Sequence, residues 1–159
     1  MRQATTTHIR ILGYLGRALS LEYSAIQQYM TQAVLTESWG LTDAAVRFRQ
    51  ETVEEMQHAD RIIQQMLRLG VVPNASQLNP ARPARNLVDL LQHDVALEAE
   101  IVALYAEATR FCERLGDVEN GEFFNTLLQE ELEHARSIED WLKSLGVPPG
   151  YREGERVYF

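Results

Sequence analysis

Cysteine is almost missing from this chain. Cys112 stands alone among 159 residues, so no intrachain disulfide can form, and a reducing cytoplasm is the simplest address. Long apolar runs are missing too. Nothing approaches the ~18–20 consecutive apolar residues of a bilayer span, and the stretch MRQATTTHIRILGYLGR at the start is interrupted by Arg10 and Arg17, so it fits neither a signal peptide nor an anchor. Basic residues are in deficit, 15 Lys and Arg against 23 Asp and Glu; the formal charge of −8 at pH 7 argues against nucleic acid as a partner and favours cations. Proline is confined, its five copies falling within 71–85 and 147–159, which leaves the rest free for long helices.

What is present is an ordinary globular mixture, 45% hydrophobic and 24% charged, of a length that suits one domain. Four segments carry apolar stripes with alternating steps of three and four, the seam spacing of a helix bundle. They run Leu12, Leu15, Leu19, Glu22, Ile26, Tyr29, Ala33; then Phe48, Glu51, Glu55, His58, Ile62, Gln65, Leu69. The third is Leu87, Leu91, Asp94, Glu98, Ile101, Tyr105, Ala108, Cys112, Leu115, and the fourth Phe124, Leu127, Glu131, His134, Ile138, Trp141, Leu145. Trp39-Gly40-Leu41-Thr42 separates the first two, with Thr42 an N-cap candidate; Gly70 and Gly146 stop the second and fourth, while Asn86 and Gly116 bracket the third. The stretch between Gly70 and Arg85 lacks periodicity and is long enough to cross a bundle. The expected fold is all-α: a four-helix bundle of two antiparallel pairs joined by a long crossover loop, spanning 1–146, with a non-helical tail at 147–159.

The two pairs are copies. A shift of 76 positions sets EEMQHADRIIQQMLRLGVVP (54–73) on EELEHARSIEDWLKSLGVPP (130–149), Leu21-Glu22 on Leu97-Glu98, and Tyr29 on Tyr105, which predicts a pseudo-twofold axis.

Carboxylates in a bundle seam are costly unless paired. Here Glu22, Glu55, Glu98 and Glu131 all take inward positions about midway along their helices, and His58 and His134 follow two of them by three residues, on the same helix face. Four ionised glutamates are neutralised by two divalent cations, so the pattern predicts a dinuclear metal site. One Glu from each of two helices plus Glu-x-x-His from each of the other two is the known ligand pattern of ferritin-like di-iron bundles. Oxygen-rich ligation with one imidazole per metal suits Fe or Mn, and the lack of thiolate ligands disfavours structural zinc. Asp94, one turn before Glu98, is a candidate acceptor for the free N–H of a ligand histidine. Tyr29 and Tyr105, seven residues after Glu22 and Glu98, are placed to hydrogen-bond ligand carboxylates, and such a tyrosine near the metals is oxidisable. Cys112 reads as core, and His8 and His93 as surface or helix-end residues. Ala45, Thr52, Met56, Ala59, Ile63 and Met66 form a further apolar stripe on the second helix, with Met56 about 160° from His58, which predicts a covering second subunit.

LEYSAIQQY (21–29), WGL (39–41), EEMQHADR (54–61), DVALE (94–98) and EELEH (130–134) resemble the bacterioferritin family within the ferritin-like superfamily, over about 8–146. The resemblance implies a ferroxidase that oxidises Fe(II) with O₂ or H₂O₂ for iron storage and detoxification, using Glu22, Glu55, His58, Glu98, Glu131 and His134. It also implies haem b on a twofold between subunits, held by Met56 from each, and a homo-oligomer. Family members continue into a fifth helix that lines channels of a 24-subunit cage. The tail VPPGYREGERVYF shows no helical repeat, so that helix is expected to be absent, with Tyr151, Val157, Tyr158 and Phe159 available to dock on a neighbour. The competing readings are a di-iron or di-manganese oxidase or peroxidase without storage, and a haem-carrying electron-transfer dimer.

Overall fold

The computed structural model describes residues 7–75, 77–148 and 150. Four helices follow in order: α1 Ile9–Ser38, α2 Thr42–Arg68, α3 Leu87–Leu115 and α4 Val118–Ser144. The bounds of α2 and α4 differ by 76 at both ends, as the sequence repeat requires. Gly40, Gly70, Gly116 and Gly146 all adopt positive φ just past a helix end, a conformation other residues reach only at a cost. Asn86 caps α3 by accepting the amide of Asp89, and Asp117 caps α4 by accepting that of Asn120. At α2 the expected cap is displaced: Thr42 is already helical, Leu41 stands at the boundary, and no side chain caps it.

α1 packs along α2 and α3 along α4, each pair joined by a short turn. The segment between α2 and α3 crosses the bundle: the amide of Asn79 donates to Ser24 Oγ, midway along α1, at 2.9 Å, and the carbonyl of Arg82 meets His93 Nδ1 at 3.1 Å. His93 is therefore buried beneath this loop, not on the surface as the sequence suggested, whereas His8 does sit at a helix end, accepting the amide of Arg10. Cys112 is buried in the core beside Ala108.

The extra stripe on α2 resolves differently from the expectation. Ala45, Thr52, Ala59 and Met66 are buried within this one chain, because a bundle helix has two neighbours and so hides a wider arc than one seam. Met56 is 55% exposed and shares its outward face with Val46 and Val53; α1 adds exposed Tyr23, Met30 and Val34. The docking candidates Tyr151, Val157, Tyr158 and Phe159 lie outside the described residues. Among the described residues no helix is long and apolar enough to cross a membrane.

Candidate metal centre

Mid-height in the bundle, the aliphatic seams give way to carboxylates. Glu22 comes from α1, Glu55 and His58 from α2, Glu98 from α3, Glu131 and His134 from α4, and all six are buried. Their donor atoms form two groups, Glu22 with Glu55, His58 and Glu131, and Glu55 with Glu98, Glu131 and His134, each within 4.8 Å. Glu55 and Glu131 are common to both groups, while Glu22 and Glu98 each belong to one, so two cations held here would share the Glu55 and Glu131 carboxylates.

The polar atoms here are under-satisfied as protein alone. Both oxygens of Glu55 and of Glu131, one oxygen each of Glu22 and Glu98, and Nδ1 of both histidines are buried without a hydrogen bond of acceptable geometry. They are nevertheless close: His58 Nδ1 lies 2.6 Å from Glu131, and His134 Nδ1 2.9 Å from Glu55. Lone pairs converging from four helices on two points, with hard oxygens and one imidazole per point, fit two divalent cations.

Electrostatics show what the cluster does without them. Burial first, then the neighbouring Glu55, pushes the Glu22 carboxyl well above the ordinary range, and burial with Glu55 and Glu131 does the same to Glu98. Burial also opposes charge on Glu55, but the close approach of the His134 and His58 imidazoles outweighs it and brings the carboxyl to about 2. Burial disfavours charge on the histidines as well, yet the surrounding carboxylates raise His58 strongly and His134 to about 12. Protons thus hold the places that cations would take.

Tyr29 donates its hydroxyl to Glu98 and Tyr105 donates to Glu22, so the repeat is kept at this level too. Tyr29 also lies beside His134, with ring centroids 6.2 Å apart, and stacks on Phe48 at 6.3 Å. Among the described residues no hydrogen bond joins Asp94 to His58 or His134; its Oδ1 instead accepts from the side-chain amides of two α1 glutamines, Gln28 at 2.6 Å and Gln32 at 2.7 Å. Burial raises Asp94 to about 7 despite those two donors.

The groups that do face the outer histidine nitrogens were not singled out in the sequence. His58 Nε2 meets Glu130 Oε2 at 3.0 Å; His134 Nε2 meets Glu51 and lies 3.5 Å from Glu54. Glu54 and Glu130 are repeat equivalents, each directly preceding a metal-site glutamate, and that register was the available signal. A surface groove of about 1030 Å³, lined in part by Glu51, Glu54, Met56, Arg61, Glu130 and both histidines, runs over this end of the site.

A family model for the ferritin-like domain matches residues 12–146. The chain is 36% identical over 130 residues to a bacterioferritin of Rhodobacter capsulatus, covering 82% of this chain and 81% of that protein. It is 33% identical over 146 residues to a bacterioferritin of Brucella melitensis, covering 92% and 91%. The solved structure of the Rhodobacter capsulatus bacterioferritin, described with a metal-free dinuclear site and a haem iron on a crystallographic special position, superposes with a TM-score of 0.83 at 31% identity, covering 93% of this chain and 100% of that one.

Proposed function

The chain belongs to the bacterioferritin family within the ferritin-like superfamily, and on that premise we propose how its own residues carry out the work of a ferroxidase. It oxidises Fe(II) to Fe(III) at the buried Glu/His dinuclear site. The observation that carries the reading is the set of inward, unsatisfied oxygens and Nδ1 atoms shared between two four-residue groups.

Iron is the substrate. One Fe(II) is held by Glu22, Glu55, His58 and Glu131 and a second by Glu55, Glu98, Glu131 and His134, with Glu55 and Glu131 fixing their separation; Mn could take the same donors. Two Fe(II) give up two electrons, which with two protons reduce O₂ to H₂O₂, or H₂O₂ to two waters. The anionic carboxylates favour the higher charge of Fe(III), which lowers the cost of oxidation. Tyr29 and Tyr105 orient Glu98 and Glu22, and Tyr29 is the oxidisable side chain we assign to the site. Fe(III) then leaves for storage as a mineral. Stopped-flow oxidation with more than two Fe(II) per chain tests this: repeated turnover and iron retained in a large particle are expected, and oxidation that halts at two per chain overturns storage in favour of a fixed di-metal cofactor.

Haem b is proposed at Met56 of two copies related by a twofold. Met56 is exposed, one turn along α2 from exposed Val53, as a ligand shared across a homo-oligomer interface has to be. A pair of thioethers leaves haem iron no open position, so the group would supply electron transfer. Loss of the visible haem spectrum in Met56→Leu, with the dimer retained, is the expected result. The lone reduced Cys112 suits a cytoplasmic setting.

A further inference from the structure

The two metal positions have matching inner ligands but unequal outer support. On the His58 side, Nε2 meets Glu130 at 3.0 Å, and Glu130 is gripped by both arms of one guanidinium: Arg61 Nη1 donates to Oε1 at 3.1 Å and Nη2 donates to Oε2. Arg61 lies three residues after His58 on α2, so a single turn of helix carries both the histidine and the group that fixes its acceptor. A bidentate arginine leaves a carboxylate little freedom, and a carboxylate accepting from Nε2 keeps the lone pair of Nδ1 aimed inward.

The repeat fails at this point on the other side. Shifting Arg61 by 76 gives Ser137, whose hydroxyl is already occupied by Arg47 Nη2 at 2.7 Å. The counterpart of Glu130 is Glu54, which lies 3.5 Å from His134 Nε2 and accepts instead from Gln50 at 2.9 Å. Glu51 competes for the same ring nitrogen, and the guanidinium that faces it, with Arg47 Nε at 3.8 Å, is too far for a hydrogen bond. One N–H cannot serve two carboxylates, and among the described residues no guanidinium grips either of them in two hydrogen bonds.

We propose that Arg61 and Glu130 are positioning residues that make the Glu22/Glu55/His58/Glu131 position bind a cation more firmly than the Glu55/Glu98/Glu131/His134 position. This rests on the dinuclear reading above. Its test is anaerobic Co(II) titration of the metal-depleted full chain, followed by d–d absorption, by cobalt retained per chain after desalting and by circular dichroism for fold. Wild type binds two Co(II) in separable steps at least ~10-fold apart, within the 10–100-fold range for residues that hold a ligand. Glu98→Gln, which keeps the His58 position, binds one Co(II) more tightly than Glu22→Gln, which keeps the His134 position. Adding Arg61→Gln weakens the single site ~10-fold or more in the Glu98→Gln background and less than ~3-fold in the Glu22→Gln background, and Arg61→Lys recovers part of the loss. Two equal steps in wild type, or a loss that is the same in both backgrounds, overturns the inequality while leaving the dinuclear site intact. Failure of wild type to bind any Co(II) overturns the dinuclear site itself.

Discussion

The α1–α2 pair and the α3–α4 pair are the same design on their inner faces and different designs on their outer ones. Inside, the 76-residue offset survives as matching glutamates, histidines and hydroxyl donors, Tyr105 to Glu22 and Tyr29 to Glu98. Outside, Arg61 grips Glu130 in one half while Ser137 stands in its place in the other, and the exposed Met56 of α2 has Leu132 as its α4 equivalent. A dinuclear centre needs its two halves to agree only where they share cations. Beyond that radius each copy is free to take on separate tasks, and here the α2 face carries the exposed sulfur and the guanidinium.

The strongest way to break the inner likeness is to remove a shared ligand. Glu55→Gln is expected to abolish binding at both positions and lower Fe(II) oxidation by more than the ~100-fold that marks the upper end for residues one step further out, whereas Glu22→Gln retains one Co(II) per chain. Metal analysis after desalting distinguishes the two; one cation retained by Glu55→Gln contradicts a shared role.

Acidity tests whether the halves respond together. Glu22 and Glu98 are raised by burial and by neighbouring carboxylates, and the carboxylates lift His134 to about 12 and His58 upward, so the metal-free cluster keeps protons at neutral pH that cations must displace. Affinity therefore increases with pH, and both cations release protons into a weakly buffered solution. A pH-electrode titration showing no release between pH 6 and 8, a window of about two units around neutrality, contradicts this protonation.

The smallest effect separates the tyrosines. Tyr29→Phe and Tyr105→Phe each leave a buried carboxylate oxygen without its donor, a loss of about 1–3 kcal/mol in urea unfolding of the metal-free protein for either variant. Only Tyr29→Phe is expected to slow iron turnover as well. Equal slowing by both variants would assign the two hydroxyls nothing beyond orienting their carboxylates.

Much of this molecule was legible in its sequence because the informative signals were periodic. Steps of three and four placed each ligand on the inner arc of its own helix, glycines at Gly70, Gly116 and Gly146 set the stops, and the offset of 76 assigned partners across the bundle. The errors share one cause. Asp94 was correctly placed inside, yet its hydrogen-bond donors are Gln28 and Gln32; the stripe from Ala45 to Met66 was correctly apolar, yet most of it is buried within this one chain. Glu51, Glu54, Arg61 and Glu130 were passed over because their significance depends on what stands opposite.

By itself, then, the sequence determined the four helices, the doubled architecture and the six inward donors, since the angular position of a residue about its own helix axis follows from its number alone. Tertiary structure decided that Glu55 and Glu131 are the pair common to both donor groups, that both histidines present Nδ1 inward, and that, among the described residues, a carboxylate gripped by a guanidinium backs His58 and none backs His134. Those are distances of 3–4 Å between different helices, set by how the helices are packed and rotated against one another, and no periodicity along one chain encodes them.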